Sequence, residues 1–173
     1  GVIPGLRLNA PRDGQSVRRA LREAVDVTDA PTVIRFPRGS VGAPITALRE
    51  IGSLDVIADH TDGGPVDLLL VAVGSMVATA ITVAEKLAAD GQRTLVVPVS
   101  PDLITLARDA TRVAVVEDGV SVGGIGDQVA MALRTNGITT PVATFGIPRE
   151  FLGHGTRGQV LGGGTARRRV EQP

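Results

Sequence analysis

Two arginines stand close together in residues 32–40, which read TVIRFPRGS. Arg35 and Arg38 flank a Phe-Pro pair, and Gly39, which lets the backbone turn, follows the second arginine. A guanidinium group offers a planar fork of N–H donors that fits the oxygens of a phosphate or carboxylate. The spacing leaves two interpretations open. Either Arg38 offers its fork to a phosphate beyond the end of a strand, or both arginines form ion pairs on the surface or between domains.

The composition of the chain gives no general reason for positive charge at this place. The 173 residues include 18 Lys plus Arg and 18 Asp plus Glu, so the net charge is zero. Proteins that bind nucleic acids or membrane surfaces usually carry an excess of positive charge. A chain with 2% aromatic residues also has few side chains on which bases could stack. We therefore expect no nucleic-acid partner and no membrane partner, and any bound anion must be met by local charges.

Hydropathy and cysteine usage indicate a cytoplasmic protein. The longest apolar run, residues 66–73, is far shorter than the roughly 20 residues of a membrane-spanning helix, and the sequence opens without a charged-then-apolar leader. Cysteine is absent, which excludes disulfides and thiolate metal sites and is compatible with a reducing cytosol.

Three glycines open a predicted helix after a strand that ends in two carboxylates. Gly123, Gly124 and Gly126 can turn backbone N–H groups toward an anion, or they can simply allow close packing of the turn. No Lys and Ser/Thr follow as in a P-loop, so a nucleotide-binding domain depends on these glycines alone. Glu117 and Asp118 are neighbours on the strand and should point to opposite faces, which does not suit an acid-base pair.

The remaining polar motifs predict no site. Gly153, Gly155 and Gly158 match G-x-G-x-x-G formally, but no strand precedes them directly and no βαβ unit follows, so we interpret them as a loop. His60 and His154 stand alone, without cysteine or a second histidine at ligand spacing. We expect them to be solvated loop residues, and we expect no metal site in this chain.

The arginines must be positioned by the elements around them. Residues 3–39 read as strand, helix and strand, with Asp13 as a helix N-cap and Pro37 ending the second strand. Residues 43–65 lose periodicity and collect Gly and Pro, as a linker does. From residue 66, strands and helices alternate regularly, which predicts an α/β fold with an open, mostly parallel sheet and flanking helices. After residue 162 the pattern decays into a frayed tail, residues 163–173.

Five segments, in order, resemble the carboxyl-terminal part of the transketolase-like, thiamine-diphosphate-dependent enzymes. They are NAPRDGQSVRRAL, PTVIRFPRG, DLLLVAVGSMVATAITVAEKLAADG, VAVVEDGVSVGGIGDQVAMAL and FGIPREFLGHG, and the resemblance covers about residues 2–162. Within this group the chain most resembles the 1-deoxy-D-xylulose-5-phosphate synthases, which FGIPREF favours over the β-subunits of 2-oxo-acid dehydrogenase first enzymes. The resemblance implies that residues 1–42 end a pyrimidine-binding domain and residues 66–162 form a transketolase carboxyl-terminal domain.

The resemblance also implies a reaction and a role for Arg38. Family enzymes condense pyruvate with glyceraldehyde 3-phosphate and release CO₂, using thiamine diphosphate and Mg²⁺, in the first step of the non-mevalonate route to isoprenoid precursors, which also supplies thiamine biosynthesis. In the family's R-[YF]-P-R-G stretch the second arginine contacts the phosphate of the acceptor, and that position is Arg38 here. Arg35, inside the strand, is then expected to form a structural or interface ion pair.

Two departures from the family pattern lead to further expectations. The chain contains no G-D-G cofactor motif, and the family's ring-activating glutamate and substrate-facing histidine precede the part it resembles. We therefore expect a partial or truncated synthase that binds no cofactor alone, is inactive alone and needs an amino-terminal cofactor domain. An apparent gap between Val97 and Pro98 should shorten a strand end or its loop. The resemblance implies a homodimer, and a non-catalytic dimerisation or assembly module is an alternative.

Overall fold

The computed structural model describes residues 3–40, 42–149, 154–162 and 169–170. The strands are β1 (Arg7–Asn9), β2 (Thr32–Ile34), β3 (Arg49–Ile51), β4 (Leu54–Val56), β5 (Ala58–Asp59), β6 (Leu68–Ala72), β7 (Thr94–Pro98), β8 (Arg112–Val120), β9 (Val142–Ile147) and β10 (Arg169–Val170). The helices are α1 (Gly14–Asp26), α2 (Met76–Ala89), α3 (Leu103–Asp109), α4 (Ile125–Thr135) and α5 (Arg157–Gly162). No helix in these ranges is both long enough and apolar enough to span a membrane.

A six-stranded sheet forms the centre of the protein, in the order β10-β9-β8-β6-β7-β5. The four inner strands, β9, β8, β6 and β7, run parallel, and the short edge strands β10 and β5 run antiparallel to their neighbours. The prediction of an open, mostly parallel α/β sheet is therefore confirmed. Strand β7 pairs with β6 residue for residue as far as Pro98, opposite Ala72, so the strand is not shortened relative to its neighbour.

Both faces of this sheet are buried, which explains the uninterrupted apolar run of β6. Leu69, Val71 and Val73 belong to one core cluster, and Leu70 and Ala72 belong to the other, because successive side chains of a strand point to opposite faces. Side chains of α3 and α4 cover the first face, and those of α2 cover the second. A strand that is covered on both faces needs apolar residues at every position.

The predicted linker, residues 43–65, contributes to the core. Strands β3 and β4 form a hairpin, and β5 pairs with the edge of β7, with Ala58 opposite Val96. Leu54 and Val56 lie in the first core cluster, and Ile57 lies with Ala58 in the second. Strands of two or three residues are too short for a recognisable hydrophobic period, so their burial follows from pairing with distant strands.

The first three elements form the predicted β-α-β unit. Strands β1 and β2 pair in parallel, and α1 connects them. Asp13 is the N-cap of α1: its carboxylate accepts the N–H of Ser16, and the Ser16 hydroxyl accepts the N–H of Asp13, which completes a capping box. Large apolar side chains of this unit remain exposed, among them Leu8, Val25 and Val33. The described residues therefore leave part of this unit uncovered.

Arg12 and Asp13 attach the β-α-β unit to the following segment. The Ile45 N–H donates to Asp13 Oδ2 at 2.9 Å, Arg12 Nε donates to the Ile45 carbonyl at 3.2 Å, and the Arg12 guanidinium pairs with Asp55. Burial raises the pKa of Asp13, but hydrogen bonds from the backbone N–H groups of Ser16 and Ile45 outweigh this effect. The pKa of Asp13 therefore lies below its ordinary value. A charged carboxylate therefore holds both the helix start and the chain that follows.

Candidate functional site

The two arginines of the opening motif line one cavity of about 400 Å³. They lie directly after β2, and the other walls come from the loops that follow β1 and β6, from the end of β8 and from α5. The lining residues are Ala10, Arg35, Phe36, Pro37, Arg38, Gly74, Ser75, Asp118 and Arg157. The cavity thus lies beyond the carboxyl ends of parallel strands, where open α/β sheets bind their ligands.

A close backbone approach brings the β-α-β unit against the central sheet at this cavity. Gly74, with φ of +56°, precedes α2, and a Cβ atom there would lie 3.4 Å from both the Cβ and the carbonyl oxygen of Ala10. Gly74 and Ser75 line the cavity just ahead of α2, so the positive end of that helix's dipole adds to the local field.

Arg35 forms an ion pair between the two parts of the protein. Its Nη2 lies 2.6 Å from Asp118 Oδ1, and its backbone N–H donates to the Asn9 carbonyl at 2.8 Å. Arg35 therefore fastens the loop after β2 both to β1 and to the end of β8. The prediction of a structural or interface pair for Arg35 is confirmed, but its expected position inside the strand is wrong, because β2 ends at Ile34.

Asp118 is the centre of a wider polar network. Arg157 Nη2 donates to Asp118 Oδ2 and to Ser75 Oγ, both at 2.8 Å, and Ser75 Oγ lies 3.2 Å from Asp118 Oδ2. Burial raises the pKa of Asp118, but the Arg157 hydrogen bond and the nearby Arg35 charge outweigh it, so the pKa lies below its ordinary value. Asp118 is thus a charged carboxylate that holds one guanidinium on each oxygen.

Arg38 differs from Arg35 and Arg157 in having no polar partner in the described ranges. It is exposed at the cavity, and within the part of the chain that the structure describes it makes neither a hydrogen bond nor an ion pair. The described residues of the cavity wall carry three guanidinium groups and one carboxylate, which leaves them a net charge of two positive. The arrangement can attract an anion, with Arg38 as the free bidentate donor.

Glu117 points away from Asp118 and occupies the start of α4. Its buried carboxylate accepts the Gly126 N–H at 2.9 Å on Oε1 and the Ile125 N–H at 3.2 Å on Oε2. A Cβ atom on Gly124 would lie 2.4 Å from Glu117 Oε1, so this glycine permits the close approach. The interpretation of these glycines as an open anion site is wrong, because the protein's own carboxylate fills it. The prediction of opposite faces for the two carboxylates is confirmed.

The other polar motifs form no site among the residues described. Gly153 lies outside the described residues, Gly155 lies in a loop and Gly158 lies within α5. His154 is exposed as expected, but the expectation of a solvated loop is wrong for His60, whose Nε2 is buried without a hydrogen-bond partner. His60 directly follows β5, and its N–H donates to the Thr94 carbonyl at 2.9 Å, so the backbone continues along the edge of β7 and holds the residue against the sheet. The described ranges contain no group of three or more His, Cys, Asp or Glu side chains that could hold a metal ion.

Sequence reasoning did not find Ser75 and Arg157 as site residues. Ser75 directly precedes α2, where a serine usually caps the helix, yet its Oγ makes no capping bond and instead joins the Asp118 network. Arg157 belongs to a segment with little periodicity, 39 residues from its partner Asp118. No local pattern in the sequence links these positions.

Comparison with known proteins places this geometry in context. The family described as transketolase, C-terminal domain, matches residues 60–162. Among curated relatives, the chain is 47% identical over 166 residues to 1-deoxy-D-xylulose-5-phosphate synthase 1 of Kitasatospora griseola and 50% identical over 166 residues to the synthase of Streptomyces sp. strain CL190. These alignments cover 92% of the chain but only 25% and 26% of the relatives. The chain therefore spans about a quarter of their length.

Two solved structures share the fold. A split-gene transketolase described as an inactive β4 tetramer matches with a TM-score of 0.78 and 26% identity, over 95% of this chain and 55% of that one. The transketolase of Campylobacter jejuni matches with a TM-score of 0.68 over 92% of this chain and 24% of that one. Its 16% identity supports the fold alone.

Proposed function

The chain belongs to the transketolase C-terminal domain family, and we propose that it is the carboxyl-terminal portion of a 1-deoxy-D-xylulose-5-phosphate synthase. In this proposal the whole enzyme condenses pyruvate with glyceraldehyde 3-phosphate and releases CO₂. The part described here supplies one wall of the acceptor site. The observation that carries the proposal is the Arg38 guanidinium, which has no polar partner among the described residues, in a cavity of net positive charge.

The described residues do not fit thiamine diphosphate and Mg²⁺. The sequence has no G-D-G motif, no carboxylate or histidine cluster in the described ranges could hold a metal ion, and Glu117 fills the glycine-rich start of α4. We therefore assign cofactor binding to another part of the enzyme, an amino-terminal cofactor domain. The role proposed for this chain is to bind and orient the acceptor.

In the proposed role, Arg38 donates two parallel N–H bonds to the phosphate of the acceptor. Arg35 and Arg157 are held by Asp118, so they contribute charge and shape while Arg38 contributes the direct contact. The positive end of α2 adds attraction for the same phosphate. Because the phosphate does not react, its binding positions the aldehyde carbon for attack and is felt mainly as acceptor affinity.

Kinetics of an intact homologous synthase test this assignment. Replacing the arginine equivalent to Arg38 with alanine should raise the KM for glyceraldehyde 3-phosphate by about 10- to 100-fold, the loss of one or two charge-assisted bonds, and should leave the KM for pyruvate unchanged. The matched control is Arg108→Ala at the equivalent exposed position on α3, outside the cavity. Equal effects on both substrates would count against the assignment.

Calorimetry tests whether cofactor binding lies outside this chain. Thiamine diphosphate with Mg²⁺, titrated into the 173-residue chain, should give no heat of binding. Saturable binding at micromolar concentration would contradict the proposal. Addition of an amino-terminal partner chain that restored decarboxylation of pyruvate would show that this chain acts as a subunit.

Self-association is a second candidate function, favoured by the exposed apolar side chains. Leu8, Val25 and Val33 are exposed on the β-α-β unit, and Met131 is exposed on α4. The similar split-gene transketolase forms a β4 tetramer. Light scattering should show a homodimer or a larger assembly of this chain, and a monomer at high concentration would remove this candidate.

A further inference from the structure

The position of Asp118 raises the question of why an anion site contains a carboxylate. Its side chain is 13% exposed, and each of its oxygens is already bound, Oδ1 by Arg35 and Oδ2 by Arg157. Both arginines are nearly half exposed at the cavity. Asp118 thus faces the same space that an anionic ligand would enter, and its negative charge compensates part of the positive charge of the arginines there.

The cavity volume does not limit the ligand to one phosphoryl group. At about 400 Å³, the cavity falls within the range of sites that hold entire small molecules. A second phosphoryl group would fit by volume. Charge therefore decides whether the cavity binds one phosphoryl group or two. A second phosphoryl group would need a second free guanidinium group and would lie close to the Asp118 carboxylate.

We infer that Asp118 is a specificity-determining residue: by pairing with Arg35 and Arg157 it leaves Arg38 as the free guanidinium among the described residues that line the cavity, so the cavity accepts one phosphoryl group and disfavours ligands that carry two. This inference rests on the proposed function of the same cavity. It adds to that proposal a residue, Asp118, that sets how many phosphoryl groups the cavity favours. Ser75 supports the arrangement, since its Oγ accepts from Arg157 and contacts Asp118.

Calorimetric titration of the 173-residue chain with inorganic phosphate and with inorganic diphosphate, at equal ionic strength, tests the inference. The wild-type chain should bind phosphate more tightly than diphosphate. Asp118→Asn removes the repulsion and leaves the charges of Arg35 and Arg157 without a compensating carboxylate, so it should tighten diphosphate about tenfold and phosphate about threefold or less. An unchanged ratio of the two affinities would overturn the inference.

Asp67→Asn is the matched control for this change. Asp67 is also an aspartate paired with an arginine, with its Oδ1 2.7 Å from Arg93 Nη2. It precedes β6, whereas the cavity lies beyond the other end of that strand, roughly 20 Å away at about 3.3 Å per residue. The control has the same change in net charge, so an equal shift of the ratio in both variants would show a general charge effect and overturn the inference.

Two further variants extend the test, and Arg157→Gln, which keeps Asp118, decides the question if Asp118→Asn fails to fold, as judged by circular dichroism. Arg157→Gln lowers the positive charge of the cavity, so it should weaken diphosphate more than phosphate. The double variant Asp118→Asn with Arg157→Gln restores the wild-type net charge and should restore the wild-type ratio. If Arg157→Gln leaves the ratio of the diphosphate and phosphate affinities unchanged, the charge argument is refuted.

Arg38→Ala separates this inference from the proposed function. If it leaves phosphate binding unchanged while Asp118→Asn still shifts the ratio, the assignment of Arg38 fails and the role of Asp118 stands. If Arg38→Ala abolishes phosphate binding and Asp118→Asn leaves the ratio of the two affinities unchanged, the assignment of Arg38 stands and the role of Asp118 fails. If the wild-type chain binds neither anion, diphosphate binding by Asp118→Asn supports the inference and its absence overturns it.

Discussion

Replacing Glu117 with glutamine should destabilise the protein far more than its small change in shape implies. Glu117 is 4% exposed, and its two carboxylate oxygens each accept one backbone N–H from the start of α4. Glutamine keeps one oxygen and places an NH₂ group where the other was. A donor would then face either the Ile125 or the Gly126 N–H, so one buried hydrogen bond is lost whichever way the amide turns.

The expected loss can be estimated from two contributions. A hydrogen bond to a charged group contributes about 1.5–3 kcal/mol, and the Gly126 N–H at 2.9 Å and the Ile125 N–H at 3.2 Å are both of this kind. Removing a negative charge from the positive end of α4 costs about 0.3–1 kcal/mol more. We therefore expect Glu117→Gln to lower the free energy of unfolding by about 2–4 kcal/mol.

Urea unfolding followed by circular dichroism measures this change. The midpoint should fall while the slope m stays constant, because the variant alters stability and not the surface exposed on unfolding. Glu85→Gln is the control, since Glu85 is exposed on α2 and should shift stability by no more than about 0.5 kcal/mol. A loss below about 1 kcal/mol for Glu117→Gln, or equal losses for the two variants, would refute the reasoning.

Three more results are expected from urea midpoints. Asp13→Ala should lower the free energy of unfolding by about 2–3 kcal/mol, because it removes the α1 cap and leaves the N–H of residue 45 without its acceptor. A loss below about 0.5 kcal/mol would contradict this. Leu133→Ala should cost about 2–5 kcal/mol because Leu133 is fully buried, whereas Met131→Ala on the same helix, 59% exposed, should cost little. Asp13 and Asp118 have lowered pKa values in the folded state, so they stabilise it above their unfolded pKa of about 4 and lose this as pH falls further. Stability measured from pH 7 to 2.5 should stay level down to about pH 5 and then decline, and a rise toward acid would contradict the pKa directions.

Much of the fold was predictable because it depends on interactions within a few residues. Asp13 could be identified as a helix cap because it bonds to a residue three positions later. The apolar run of β6 indicated a strand buried on both faces, and the alternation of strands with helices indicated a parallel sheet. The strand geometry also separated Glu117 from Asp118, since neighbouring side chains on a strand point to opposite faces.

The sequence by itself determined the β-α-β unit and the alternation of strands and helices from β6 to β9, and it identified Arg38 as a candidate for a phosphate through its place in a known type of motif. Only the tertiary structure showed that Asp118 brings together Arg35 and Arg157, and that Glu117 fills the start of α4. It also showed that the predicted linker pairs with β7. The physical reason is range: capping and periodicity act between near neighbours, whereas the cavity forms where the sheet order brings the ends of distant strands together.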